Sequence, residues 1–262
     1  MTLWPFGSTS FLDPDDEAWQ LALWCWFLGQ FGGIEDVRRS PLVLPTRTFF
    51  PPTDKTGHAR AEHIFACVKK LARMPDWPCR LLAQPRRAEL LVNESTVLKP
   101  ITHAPAGTFA FDGDDVVITY EESAINDPGQ LIATLAHELA HYLLHNWRAQ
   151  APGGEELHEP ATDVMTVYMG FGLFGAAACF DFHSDDTGWR WQRHGYLSQR
   201  AWLFALAIFL ELRNEEASML KPFLKSHLLS DLNEAVRYAR KKELIAQMMR
   251  TLRNSAGARA PG

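Results

Sequence analysis

At 262 residues, with 47% apolar and 22% charged side chains, the chain has an ordinary globular composition and length enough for one large domain or two small ones. A net charge of −5 gives no global pull toward nucleic acid or an anionic membrane. Cys25, Cys67, Cys79 and Cys179 form no CxxC pair, which argues against a cysteine-bound structural zinc and for free thiols of a reducing compartment.

The first residues, MTLWPFGSTSFLDPDDEAW, are acidic and lack the basic stretch and cleavable apolar core of a signal peptide, so a cytoplasmic location is expected. Residues 15–31 are apolar at helical spacing and stop at Gly32 and Gly33. The proline-punctuated stretch 40–52 reads as extended. Residues 57–74 read as an amphipathic helix stopped by Pro75. Short strand-like runs follow at 79–84, 88–92, 96–101, 107–111 and 115–120, separated by Gly, Pro and Asp as in a small antiparallel or mixed sheet. The apolar runs 19–33 and 201–210 are shorter than the ~20 residues of a membrane span, so both are expected to be buried core helices.

The period then changes. Asp127 is placed to cap a helix, with Pro128 in its first position and Gln130 three residues after the cap. Leu131, Ile132, Leu135, Ala136, Leu139, Ala140, Leu143 and Leu144 carry the three-four spacing to about Trp147. Inside this helix His137, Glu138 and His141 form HExxH. Residues i and i+4 project from one face with Cβ atoms about 5–6 Å apart. That separation suits two imidazole nitrogens on one zinc at roughly 2.0–2.1 Å each. Glu138, beside the first histidine, is placed to act on water without being a ligand. His145 lies two turns from His137, about 12 Å along the axis, too far to share an ion with it. A hydrogen bond near the helix C-terminus is its expected role.

A catalytic zinc takes a third protein ligand and keeps an open position. Position 144 is Leu and 147 is Trp, so the extended HExxHxxGxxH form is absent and the third ligand must come from further on. After the loop 151–156, Pro160 opens another helix that runs to the glycine-spotted 170–175. Glu159 and Asp163 are four apart at its start and share a face. Glu155, Glu156, His158 and Asp163 stand beside Glu159 as alternative ligands. Residues 179–192 alternate like a hairpin turning near 186–188. The remainder, 197–213, a piece around Pro222, and 230–253, reads as helical. From Arg237 onward seven basic residues face one acidic residue, Glu243, which reads as a solvated helix face and no nucleic-acid motif.

HExxH followed by a Glu…Asp pair on a second helix resembles the gluzincin metallopeptidases, the thermolysin-like class. The 22-residue step from His137 to Glu159 and the run TLAHELAHYLLH look more like the compact ImmA/IrrE-type intracellular bacterial metallopeptidases. The resemblance covers roughly residues 115–170. It implies a Zn2+ held by His137, His141 and Glu159, with Asp163 holding the far nitrogen of His137. It also implies Glu138 as general base in peptide-bond hydrolysis, and substrate pairing along an edge strand, for which 115–120 is the candidate. A further donor to the oxyanion is expected from Tyr168, His183, Arg190, His194 or Tyr196.

The expected fold is α+β and zincin-like, a small mixed or antiparallel sheet on the HExxH helix with helical N- and C-terminal regions. Residues 1–75 form an integrated helical region, 76–180 the catalytic core, and 181–262 a hairpin and helical subdomain. The expected partner is a protein or peptide substrate, with no membrane and no nucleic acid. The alternative is a zinc-bound regulatory or interaction module with little or no proteolysis.

Overall fold

The computed structural model describes residues 10–84, 106–112, 115–181 and 197–257. In chain order these form α1 (Pro14–Gln30), α2 (Gly33–Arg39), α3 (Gly57–Leu71), β1 (Arg80–Ala83), β2 (Gly107–Asp112), β3 (Asp115–Tyr120), α4 (Pro128–His145), α5 (His158–Tyr168), α6 (Gly172–Asp181), α7 (Gln199–Arg213), α8 (Ser226–Lys241) and α9 (Leu244–Gly257). The fold is α+β and mostly helical. Met1–Leu44 with Trp147–Gly262 makes one compact unit, and Pro45–Asn146 makes the other.

The Pro45–Asn146 unit holds the sheet. Its order is β1-β3-β2, with β1 parallel and β2 antiparallel to β3. Gly107 stands opposite Tyr120 and Phe109 opposite Ile118. The expected edge strand, 115–120, is therefore the centre of the sheet, and burial of Val116, Val117, Ile118 and Tyr120 accounts for its continuous apolar run. The strands expected at 88–92 and 96–101 lie outside the described residues. One face of the sheet is covered by α4, with α3 packed beside α4. The start of α4 follows from its cap, where Asp127 Oδ1 accepts a hydrogen bond from the Gln130 amide at 3.1 Å and Pro128 fills the first turn.

The other unit is built around α7. Every residue from Ala201 to Leu210 is buried, so this helix is apolar on all sides and sits inside a jacket of α2, α5, α6, α8 and α9. The expectation of a buried core helix there holds. No helix among the described residues is long and apolar enough to cross a membrane. Trp24, Phe27 and Phe31 of the α1 region gather around Tyr168 at ring separations of 5.4–6.0 Å. After α5 the chain turns at Gly170, whose φ of +99° and close approach to the Pro41 carbonyl leave no room for a side chain.

Two expectations change here. The predicted hairpin over 179–192 begins inside a helix, because α6 continues to Asp181; residues 182–192 lie outside the described residues. The single helix expected over 230–253 is two, broken at Lys242 and Glu243, with Glu243 at φ +52°. Beyond the break, α9 packs on α1.

Candidate metal centre

α4 is amphipathic in a graded way. Its Leu131, Leu135 and Leu139 are fully buried, while His137 and His141 emerge half-buried on a neighbouring stripe. One turn apart, these two rings meet at 4.6 Å between centroids, with Nε2 to Nε2 at 3.0 Å. Two nitrogens on one tetrahedral zinc at about 2.05 Å stand roughly 3.4 Å apart, so the pair is within a few tenths of an ångström of a shared-ion spacing. Glu159, the expected third ligand, is half-buried in the first turn of α5. Two imidazoles and one carboxylate are the donor set of a catalytic zinc with a free position.

Of the alternative ligands, His158 opens α5. Glu155 and Glu156 lie exposed in a short 3-10 turn, Gly154–Leu157. Asp163 is buried in α5, and its Oδ2 accepts the Leu197 amide at 2.9 Å. That bond ties the start of the α7 segment to α5.

Glu138 points to the sheet side of α4 and is only 6% exposed. It is seated against β2. A Cβ built on Gly107 would stand 3.1 Å from Glu138 Cγ, 2.5 Å from Thr134 Cγ2 and 2.7 Å from the Thr119 carbonyl oxygen. Only glycine lets β2 lie this close to Glu138. Sequence reasoning passed over Gly107. Its one signal was a glycine opening a strand-like run, which marks close backbone approach.

The other expected residues fall elsewhere. Tyr168 is 2% exposed and donates its hydroxyl to Asp36 Oδ2 at 2.9 Å, so it belongs to the aromatic core rather than to a substrate surface. His183, Arg190, His194 and Tyr196 lie outside the described residues. His145 packs against Phe109 and Phe111 with its ring tilted by 52° and 54°, at 5.6 and 4.9 Å between ring centroids. A ring contact with β2 is what the described residues show for it.

Burial pushes the thiols of Cys25, Cys67 and Cys79 up, so all three are protonated near neutrality, and all three are free. No family model, curated protein or solved structure matches this chain.

Proposed function

We propose that this chain is a zinc-dependent metallopeptidase of zincin-like fold, cleaving peptide bonds in a protein or peptide substrate in the bacterial cytoplasm. The observation that carries the reading is the pairing of His137 and His141 on one face of α4, Nε2 to Nε2 at 3.0 Å. The helical HExxH spacing, the buried Glu138 beside it and three free cysteines support it.

In this reading His137 and His141 present neutral Nε2 lone pairs and Glu159 a carboxylate oxygen to the ion. Asp163 orients His137 through its far nitrogen. Zinc, when bound, supplies Lewis acidity, lowering the pKa of water and polarising a carbonyl. Glu138 accepts a proton from the attacking water and returns it to the leaving amine. Its low exposure keeps bulk water from competing for that proton. The substrate backbone pairs with β2 rather than β3, because β3 is hydrogen-bonded on both sides, whereas no strand among the described residues pairs with the outer edge of β2.

The test is metal analysis joined to cleavage. The purified protein is expected to carry one zinc per chain, and His141→Ala to lose it. Glu138→Gln is expected to keep the zinc and lose at least a thousandfold in peptide hydrolysis, at the upper end of what a general base contributes. A protein that retains zinc after His141→Ala refutes the site. A zinc-loaded wild type that cleaves nothing, with Glu138→Gln indistinguishable from it in cells, makes the chain an interaction module instead.

A further inference from the structure

Alternate residues of β2 form a row along α4. Gly107 meets Glu138 and Thr134, Phe109 meets Tyr142 and His145, and Phe111 meets His145. β2 thus runs alongside α4, from the general base to the last turn of the helix. Phe109 lies flat on Tyr142, 5.5 Å between centroids and 26° between planes, and Trp77 closes the far side of Tyr142 edge-on at 4.8 Å. Phe111 packs at 5.3 Å on Phe109. α4 ends at His145, so Phe111 overhangs its last turn and stays 52% exposed. Among the described residues of this unit, Phe111 and Leu82 are the exposed large apolar ones. A lone exposed phenylalanine carries no message. This one sits on β2, whose outer edge no strand among the described residues pairs with, in the same row as the glycine at Glu138, on a base of two further aromatic rings and an imidazole.

Resting on the peptidase reading, we propose that Phe109, Phe111 and His145 form the subsite for an apolar side chain, aromatic by preference, on the N-terminal side of the cleaved bond. The distance fixes the position. Gly107 and Phe111 are four strand residues apart, about 13 Å. An extended peptide lying antiparallel to β2, with its cleaved bond at Glu138, passes Phe111 three or four residues before that bond. Strand pairing supplies backbone affinity without sequence choice, and this ring surface supplies the choice. Its chemistry is that of an aromatic platform, with ring faces for an incoming phenyl or branched aliphatic group.

The experiment uses a synthetic library of random twelve-residue peptides and the zinc-loaded full chain. Cleaved products of the wild type, read by mass spectrometry, are expected to be enriched in Phe, Tyr, Trp, Leu or Ile three or four residues before the cut. Phe111→Ser is expected to flatten that enrichment and lower kcat/KM for the preferred peptides about tenfold, the effect of losing a half-buried ring contact, while leaving peptides with Ser there unchanged. A flat profile, an apolar preference on the other side of the bond, or a preference that survives Phe111→Ser overturns the subsite. Retention of the same library on Glu138→Gln separates the two readings. If the wild type cleaves nothing but Glu138→Gln still retains apolar-bearing peptides, and Glu138→Gln/Phe111→Ser does not, the platform stands and hydrolysis falls. Equal retention by both variants overturns the platform whether or not the wild type cleaves.

Discussion

Gly107→Ala tests how tightly the sheet holds Glu138, the proposed general base. The added methyl meets Thr134 Cγ2 at 2.5 Å, the Thr119 carbonyl oxygen at 2.7 Å and Glu138 Cγ at 3.1 Å, against an ordinary contact of about 3.5–4.0 Å. The Thr119 oxygen belongs to the sheet backbone and cannot yield alone, so β2 and α4 separate or Glu138 retreats. Overpacking of this kind costs about 1–3 kcal/mol, a fall in Tm of roughly 2–10 °C at this chain length. If Glu138 retreats by about half an ångström, and a misplacement of about 1 Å costs roughly a hundredfold, kcat/KM falls about tenfold. The methyl touches neither His137 nor His141, so zinc content stays at the wild-type level. Adding Thr134→Ser removes the tightest contact but leaves the ones with Thr119 and Glu138. The double variant is expected to recover part of the lost Tm and little of the lost activity. Thermal melting, metal analysis and peptide kinetics on the two variants give the answer. Wild-type kcat/KM in Gly107→Ala, or full return of activity in the double variant, refutes the claim that Gly107 seats Glu138.

Two further outcomes concern the fold. Tyr168→Phe removes the hydroxyl that Asp36 Oδ2 accepts inside the aromatic core; a hydrogen bond to a buried carboxylate contributes about 1.5–3 kcal/mol. Its Tm is expected to drop by roughly 3–10 °C with zinc content unchanged, and an unmoved Tm rejects the bond as structural. The second is alkaline sensitivity. Burial pushes the hydroxyls of Tyr120, Tyr142 and Tyr238 up, with the Glu17 carboxylate adding to the effect at Tyr238. A raised folded-state pKa stabilises the fold fully below the unfolded tyrosine value of about 10, and that contribution is lost as pH rises through the folded value. Melting temperature is therefore expected to be insensitive to these groups up to about pH 9 and to fall beyond pH 10, more shallowly in Tyr238→Phe. A Tm that rises above pH 10 contradicts the assignment.

Local signals were readable in the sequence and long-range ones were not. Asp127, Pro128 and the leucine spacing specify α4 without help from the rest of the chain, because caps and periodicity act within a few residues. HExxH was legible for the same reason, its geometry being internal to one helix. Strand order is not local. The residues of β3 describe a strand buried on both faces, and only its pairing with β1 and β2 shows that it is central. His145 looked like a helix-end histidine because its partners, Phe109 and Phe111, come from a strand far upstream. At 179–181 the three residues that open an alternating run looked like a strand, yet the alanines before them carry the helix on to Asp181. The break at Glu243 has no glycine or proline to announce it.

The unit that contains α7 is split in sequence, with Met1–Leu44 made before the whole of Pro45–Asn146 and the rest after it. During synthesis α1 leaves the ribosome with Leu23, Trp24, Phe27 and Leu28 ready for burial and their partners still untranslated. The inserted section has its sheet and α4 complete while α1 still waits. Nascent chains halted once residue 146 has cleared the ribosomal exit tunnel should therefore protect the inserted section from protease while leaving α1 open to cleavage and to capture by a holdase chaperone.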